Sequence, residues 1–583
     1  MAFALPTTKS NRPLLMGNSH VVAAGHYLSA LAGLEMLEAG GNAIDAGVAA
    51  GIATGVLEGT HVSFAGVAPI IIRMATGVVE TISGLGYWPA AATPDYFAQH
   101  FGGKIPPGVA RTVIPAAPDA WITALERHGT MSFADVAAPS IRLCNEGFPA
   151  HAFMANFIAK RRAMIERYPS TVEIYLPGGQ PPAMGQVFVQ TDLGATLQYM
   201  ADEDRAQSRH GRLAGLAAAR ASFYRGDIAQ KIVAFHRAEG GLITAKDLAG
   251  FRVGIEKPVE GRFGDLMVWT CGPWCQGPML LQTLNLLDPA ALRSAGHNSA
   301  EAIHAITEAI KLAAADREAY YGDPRFMDVP IDALVSPAYA ARRRMLIDPG
   351  RAAPDMPAPG SVTGEPWHGD LLRNSLDHAP APIEEDESAA DTSYCCAVDR
   401  WGNVFSATPS DGNTACPVIP GTGFVASGRG SQSRADPDHP ACLAPGKRPR
   451  LTPNPAIAMK AGEYVMPFGT PGGDVQVQAM VQCLANMAVY GMDPQSAVEA
   501  PRFASYSFPS SFAPYDYRPG VLAVENRIRT ETADTLAAKG HIIEWWPALA
   551  GEAGSVCMIH HDLNSNVKSG GADPRRTAYA MGR

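Results

Sequence analysis

The chain lacks any long uncharged apolar run. Its best candidate, residues 43–57, contains Asp45 and falls short of the roughly 20 residues that cross a bilayer. No membrane partner is expected. The opening residues, MAFALPTTKSNRPLL, have no charged stretch followed by an apolar one. No secretory signal is read, and a cytoplasmic location is expected. The nine cysteines include no CxxC pair, and Cys395, Cys396 and Cys483 sit in apolar runs. Buried thiols in a reducing compartment follow. No G-x-G-x-x-G opens a helix, and "GTPGG" at 469–473 lacks the Walker lysine, so no nucleotide fingerprint is present. Neither His560-His561 nor His439 with Cys442 has a third ligand at useful spacing, and neither a metal nor a cofactor is expected. With a net charge of −9 and no basic stripe, no nucleic-acid partner is expected. The most basic run, "PGKRPR" at 445–450, reads as a solvated loop.

What is present is a chain with 47% hydrophobic residues, enough for a large core. Leu28, Leu31, Leu34 and Leu37 recur at helical spacing, and "AGG" at 39–41 ends that helix. Asn42 can cap a second helix, rich in Ala and Gly, that runs to about residue 58. Strands are expected within 68–75 and 78–85, joined by a "TG" turn. Helices are expected over 115–149, with Ser132 and Asp135 at capping-box spacing, and over 298–322.

The clearest break in composition is 349–391, which holds seven prolines and ends in the run Glu384, Glu385, Asp386, Glu387. Such sequence is expected to be an exposed, poorly ordered linker. It separates residues 1–391 from residues 392–583. The second part reads as strands at 394–399, 404–408, 455–460 and 464–468, then helices near 474–490 and 531–540.

Linker and strand meet at Thr392-Ser393. Taken alone, this junction reads first as a strand start with a local turn, since such junctions are common, and only second as a cleavage point. If the chain were cut between Asp391 and Thr392, the Thr392 hydroxyl and a free α-amine would share one residue. That amine, with a reference pKa of about 7.7–8.0, can serve as the base a threonine nucleophile needs. Acyl transfer also needs donors for an oxyanion. Gly472-Gly473, between a strand and a helix, offers unobstructed amides.

With these residues in hand, the chain resembles the γ-glutamyltransferase family of N-terminal nucleophile hydrolases. The resemblance runs through "GLEMLEAGGNAIDAGVAAGIATGVLE" (33–58), "GPWCQGPMLLQTLNLLD" (272–288), "DTSYCCAVDRWGNVFSAT" (391–408), "PGKRPRLTPNPAI" (445–457) and "FGTPGGDVQVQAMVQ" (468–482). It implies an α+β fold, a four-layer αββα sandwich formed jointly by two chains cut from one precursor. Thr392 would be the nucleophile and new N-terminus, Ser410 the hydroxyl supporting it, and Gly472 and Gly473 the oxyanion hole. No cofactor is implied. How the heterodimers assemble, in pairs or otherwise, stays open.

The departures fall in the substrate pocket. Pro94 stands where the family's carboxylate-gripping arginine belongs, and Leu451-Thr452 replaces a serine pair. "GRGSQSRAD" (428–436) has no acid before Asp436, where the family meets the substrate α-amine with an acidic pair. Gly412 replaces an asparagine, and "HVSFAGVAPI" (61–70) replaces a glycine-rich loop. Arg429, with Arg434 and Arg450 nearby, is the basic candidate instead. The expected activity is therefore amide hydrolysis on a small carboxylate-bearing substrate, oxamate-like or acylase-like, with water or an amine as acceptor. True γ-glutamyl hydrolysis or transfer is the alternative, and an unprocessed binding or scaffold protein is the reading from another class.

Overall fold

Two seven-stranded sheets lie face to face in the computed structural model, which describes residues 10–362, 392–412 and 416–583. The first sheet runs, edge to edge, through Leu15–Gly17, Lys568–Ala572, Cys557–Asp562, Tyr464–Gly469, Ala456–Lys460, Leu266–Thr270 and Val259–Phe263. The second runs through Tyr579–Gly582, Val21–Ala24, Cys395–Val398, Val404–Ala407, Ile70–Arg73, Val79–Ile82 and Ile255–Glu256. Each sheet contains strands from both sides of Thr392.

Side-chain alternation along these strands dictates the layers. Val21, Ala23, Tyr394, Cys396, Val398 and Ile71 point inward, against Ile457, Val465, Cys557 and Ile559 of the facing sheet. The alternate residues Val22, Ala24, Cys395, Ala397, Ile70 and Ile72 point outward, under the helices Tyr27–Glu38, Ala43–Leu57 and Ala117–His128. On the far side, Val268, Ala456, Ala458, Met466 and Met558 pack under the helices Gly277–Leu286, Ala300–Tyr320 and Gln476–Ala488. The result is the expected αββα sandwich. Strands so buried on both faces read as continuous apolar runs, "IIIR" and "CCAV" among them.

The helix Ala43–Leu57 is buried at every position. Asn42 and Asp45 form its capping box, and Asp45 also receives the amides of Thr130 and Met131. Its small residues allow the sheet to come close: a Cβ at Gly47 would sit 2.0 Å from the Phe405 ring. The expected capping box at Ser132 and Asp135 also forms.

Three expectations need correction or bounding. Residues 349–362 are not a free exposed strand of linker; they lie along the helix Ala300–Tyr320. Ala353 N–H donates to Glu308, Lys311 to the Ala353 carbonyl, and Gly360 N–H to Asp316, with Ala352 and Gly360 buried. Backbone polar groups there find fixed partners, which holds the segment down. The rest of the linker, 363–391, and with it Asp391, lies outside the described residues. The "PGKRPR" run is not a solvated loop either, since Lys447, Arg448 and Arg450 are buried. Arg448 pairs with Glu256 at 2.6 Å and with Asp323 at 3.0 Å, and Arg450 pairs with Glu318 at 2.7 Å. All nine cysteines are buried and unbridged. Among the described residues, no helix is long and apolar enough to cross a membrane.

Candidate active site

Hairpin register builds the first contact of the site. Strands Cys395–Val398 and Val404–Ala407 are antiparallel, with Cys395 opposite Ala407. The same register, continued three residues beyond the ladder, brings Thr392 opposite Ser410, where an isolated bridge forms. Ser393 N–H donates to the Pro409 carbonyl at 2.9 Å and locks this extension. The two hydroxyls meet: Thr392 Oγ1 lies 2.8 Å from Ser410 Oγ, and both residues are buried.

A buried polar ring surrounds this pair. Arg429 Nη2 donates to Ser410 Oγ. Its Nε pairs with Asp411 Oδ1 at 3.0 Å, and its Nη1 donates to Gln432 Oε1 at 3.2 Å. Gln432 Nε2 in turn donates to Thr452 Oγ1 at 3.0 Å. The Gln476 side-chain amide lies 3.5 Å from Thr392 Oγ1 and closes the ring. In the amide orientation its neighbours favour, its NH2 donates to the carbonyls of Thr452 and Thr470, at 3.3 Å each, and its oxygen faces the threonine hydroxyl. Asp411 has a positive φ of 90°, a strained backbone that non-glycine residues adopt only where the surroundings enforce it. Burial pushes its carboxyl above the usual range, while Arg429 and the Ser427 hydroxyl oppose that push.

The Gly472-Gly473 turn stands between strand Tyr464–Gly469 and helix Gln476–Ala488. Both glycines have positive φ, 122° and 55°, a conformation that side chains resist. The turn is held from outside. Gln276 Nε2 donates to the Gly473 and Thr452 carbonyls, at 2.9 Å each. Asp474 receives the Ser511 amide and hydroxyl, both at 2.7 Å, and a guanidinium bond from Arg317.

Behind that turn lies a charged cluster that absorbs two of the candidate substrate cations. Glu318 takes Arg450 at 2.7 Å, Arg317 at 3.0 Å and Arg434 at 3.5 Å. Arg434 also stacks 3.3 Å from the centre of the Tyr515 ring. Arg434 and Arg450 therefore brace the scaffold. Desolvation alone would raise the Glu318 carboxyl, but Arg450 and Arg317, with His439 and Arg434, hold it well below the carboxylate range. A depressed carboxyl contributes stability that is complete above its unfolded value, near 4.5, and is lost as pH falls below that toward the folded value. Wild type is expected to lose stability steeply below that point. Glu318→Gln should be less stable at neutral pH and show a flatter acid limb, as read by urea denaturation across a pH series.

Thr392, Ser410, Arg429 and Thr452 thus come together, with Gly473 tied to Thr452 through Gln276. Pro94 does not join them. It opens the short helix Pro94–Phe101, capped by Thr93, in a separate apolar cluster around Trp88 and Phe97. A cavity of 330 Å³ lined by Glu173, Phe188, Asp192 and Gly423 also shares no residue with the ring. Sequence reasoning missed Asp411, Gln432, Gln476 and Gln276. Asp411 and Gln432 had a signal, since one adjoins Ser410 and the other sits in the segment where an acid was sought.

The gamma-glutamyltranspeptidase family model matches residues 29–583. The chain belongs to that family. It is 30% identical to the acylase ACY 1 proenzyme of Pseudomonas sp. (strain SE83), over 93% of this chain and 90% of that one. Among solved structures, LmbA2991HD superposes with a TM-score of 0.88 at 33% identity, covering 99% and 100% of the two chains. The cephalosporin acylase of Bacillus halodurans superposes at 0.83 with 27% identity, covering 99% and 98%. As a member of this family the chain is an enzyme, and its relatives include acylases made as proenzymes.

Proposed function

We propose that the protein is an autoprocessing amidohydrolase whose nucleophile is Thr392. The observation that carries this reading is the buried hydroxyl pair of Thr392 and Ser410, 2.8 Å apart, beside the Gly472-Gly473 turn. In the first reaction, Thr392 Oγ1 attacks the Asp391 carbonyl carbon and the peptide nitrogen leaves, giving an ester. Water cleaves the ester, leaving a carboxylate on Asp391 and a free α-amine on Thr392. In the second reaction, that amine takes the hydroxyl proton as Oγ1 attacks the substrate amide. The Gly472 and Gly473 amides hold the oxyanion. The amine leaves with a proton, and water or a second amine releases the acyl group.

The acyl group we propose is small and carries a carboxylate. Pro94 cannot supply the bidentate grip of an arginine. The groups around Thr452 are neutral or already ion-paired: Gln432, Gln476, and Arg429 with Asp411. Arg429, joined to Ser410 at the nucleophile, is the cation proposed to meet a substrate anion, and Arg576 lines the small cavity that Thr392 opens on. The acylase relative supports the same direction.

A substrate panel of oxamate, a glutaryl anilide and a γ-glutamyl anilide tests the reading. Turnover of either of the first two, with the third near background, is expected. Preferred turnover of the γ-glutamyl anilide would replace it with γ-glutamyl chemistry. A purified chain that stays as one 61.6 kDa band would favour a binding protein. Gly473→Ala keeps the amide but strains its turn, at a φ of 55°, and is expected to lower kcat by up to about 10²–10³-fold with KM little changed, the scale of one misaimed oxyanion donor.

A further inference from the structure

We propose that His304, Glu308 and His541 bind a divalent transition-metal ion of the zinc or cobalt type, linking the parts of the chain before and after Thr392. All three residues are buried, and their ligand atoms lie within 4.8 Å of one another. His304 and Glu308 sit four residues apart on the helix Ala300–Tyr320, hence on one face. His541 comes from the other side of the chain, just before strand Ile542–Trp546. Two imidazoles and one carboxylate form the donor set of borderline cations such as zinc, whereas calcium and magnesium take oxygen ligands. Sequence spacing hid the set, because His304 and His541 are 237 residues apart.

The hydrogen bonds orient the rings for this role. His304 Nε2 donates to the Asp348 carbonyl at 2.8 Å. That is the outer bond that typically aims a metal-binding imidazole, and it leaves the Nδ1 lone pair facing His541 Nε2 at 2.9 Å. Without an ion, the proton on His541 Nε2 bridges the two rings. An ion would take its place, with His541 carrying its proton on Nδ1 instead; no electrons change hands. Three protein ligands leave a fourth position for water. Both Glu308 oxygens already have partners, and Ala353 N–H holds Oε2 at 3.1 Å. Lys311 Nζ lies 2.6 Å from Glu308 Oε1 and competes for the carboxylate.

The site would hold the helix against the small-subunit side next to residues 348–353, where the chain departs toward the cleavage point. The test is a Co²⁺ titration of untagged, chelator-stripped protein, followed by visible absorption. Wild type is expected to develop d–d bands that saturate at one ion per chain and vanish when Zn²⁺ is added. His304→Gln and His541→Gln should each lose the bands. Lys311→Met, which removes the competing cation, should reach half-saturation at a several-fold lower Co²⁺ concentration. No bands in wild type, or bands that survive in both glutamine variants, would overturn the proposal. If those variants fail to fold, unchanged Co²⁺ affinity in Lys311→Met overturns it equally.

Discussion

Thr392→Ala is expected to leave the chain as a single 61.6 kDa polypeptide with turnover reduced by about 10⁴-fold or more, the scale of losing a covalent nucleophile. The substitution deletes one hydroxyl from the buried pair. Ser410 keeps its bond from Arg429, while the buried Gln476 oxygen loses the hydroxyl it faces. The stability cost should stay within about 1–3 kcal/mol, the range for one buried group losing its partner. A thermal melt close to wild type would show that the loss is chemical and not a folding defect. Thr392→Ser retains an attacking oxygen and should still cut. Intact mass and N-terminal sequencing of the smaller fragment decide the matter. Normal cleavage in the alanine variant would remove Thr392 from both reactions.

Arg429→Met should be the most damaging of these changes to stability, and it should lower turnover as well. Arg429 is fully buried, and its guanidinium is shared among Asp411, Gln432 and Ser410. Removing it leaves Asp411 buried, at a positive φ, without its cation. Breaking such a pair costs about 3–5 kcal/mol. Asp411→Asn in the same chain removes the stranded charge, so the double variant should regain much of that stability. It should not regain turnover. On a carboxylate-bearing amide, loss of a charge partner for the substrate corresponds to about 2–5 kcal/mol in kcat/KM, and on a neutral amide to clearly less. Urea midpoints give the first effect and paired substrates the second. Full recovery of turnover in the double variant would reduce Arg429 to a counter-ion for Asp411.

The layers of the fold were legible because strands and helices here carry strong local signals. Caps at Asn42 and Ser132, apolar runs at 70–73 and 395–398, and the long helix at 300–320 all depend on near neighbours. The meeting of Thr392 with Ser410 was also close to readable, since a short turn at "DRWGN" fixes the register of the hairpin. The remainder of the ring was not. Gln476 reaches Thr392 across 84 residues and Gln276 reaches Gly473 across 197; only the packed sheets make them neighbours. The basic run at 445–450 was misread for the same reason. Nothing local reveals that Arg448 meets Asp323, 125 residues away, or that Arg450 meets Glu318, 132 away. Charge in a sequence reads as solvent until its partner is located.

Each sheet is built from strands on both sides of Thr392. Val21–Ala24 pairs with both Cys395–Val398 and Tyr579–Gly582, so neither part can complete a sheet without the other. The hairpin brings Thr392 to Ser410 locally, but Gln476 reaches the pair only across the packed sheets. Under the proposed mechanism, a chain that misfolds gains no reactive amine, and scission becomes a certificate of correct assembly. Once issued, it is hard to revoke: two polypeptides so interleaved should melt in one transition and exchange no partners while folded.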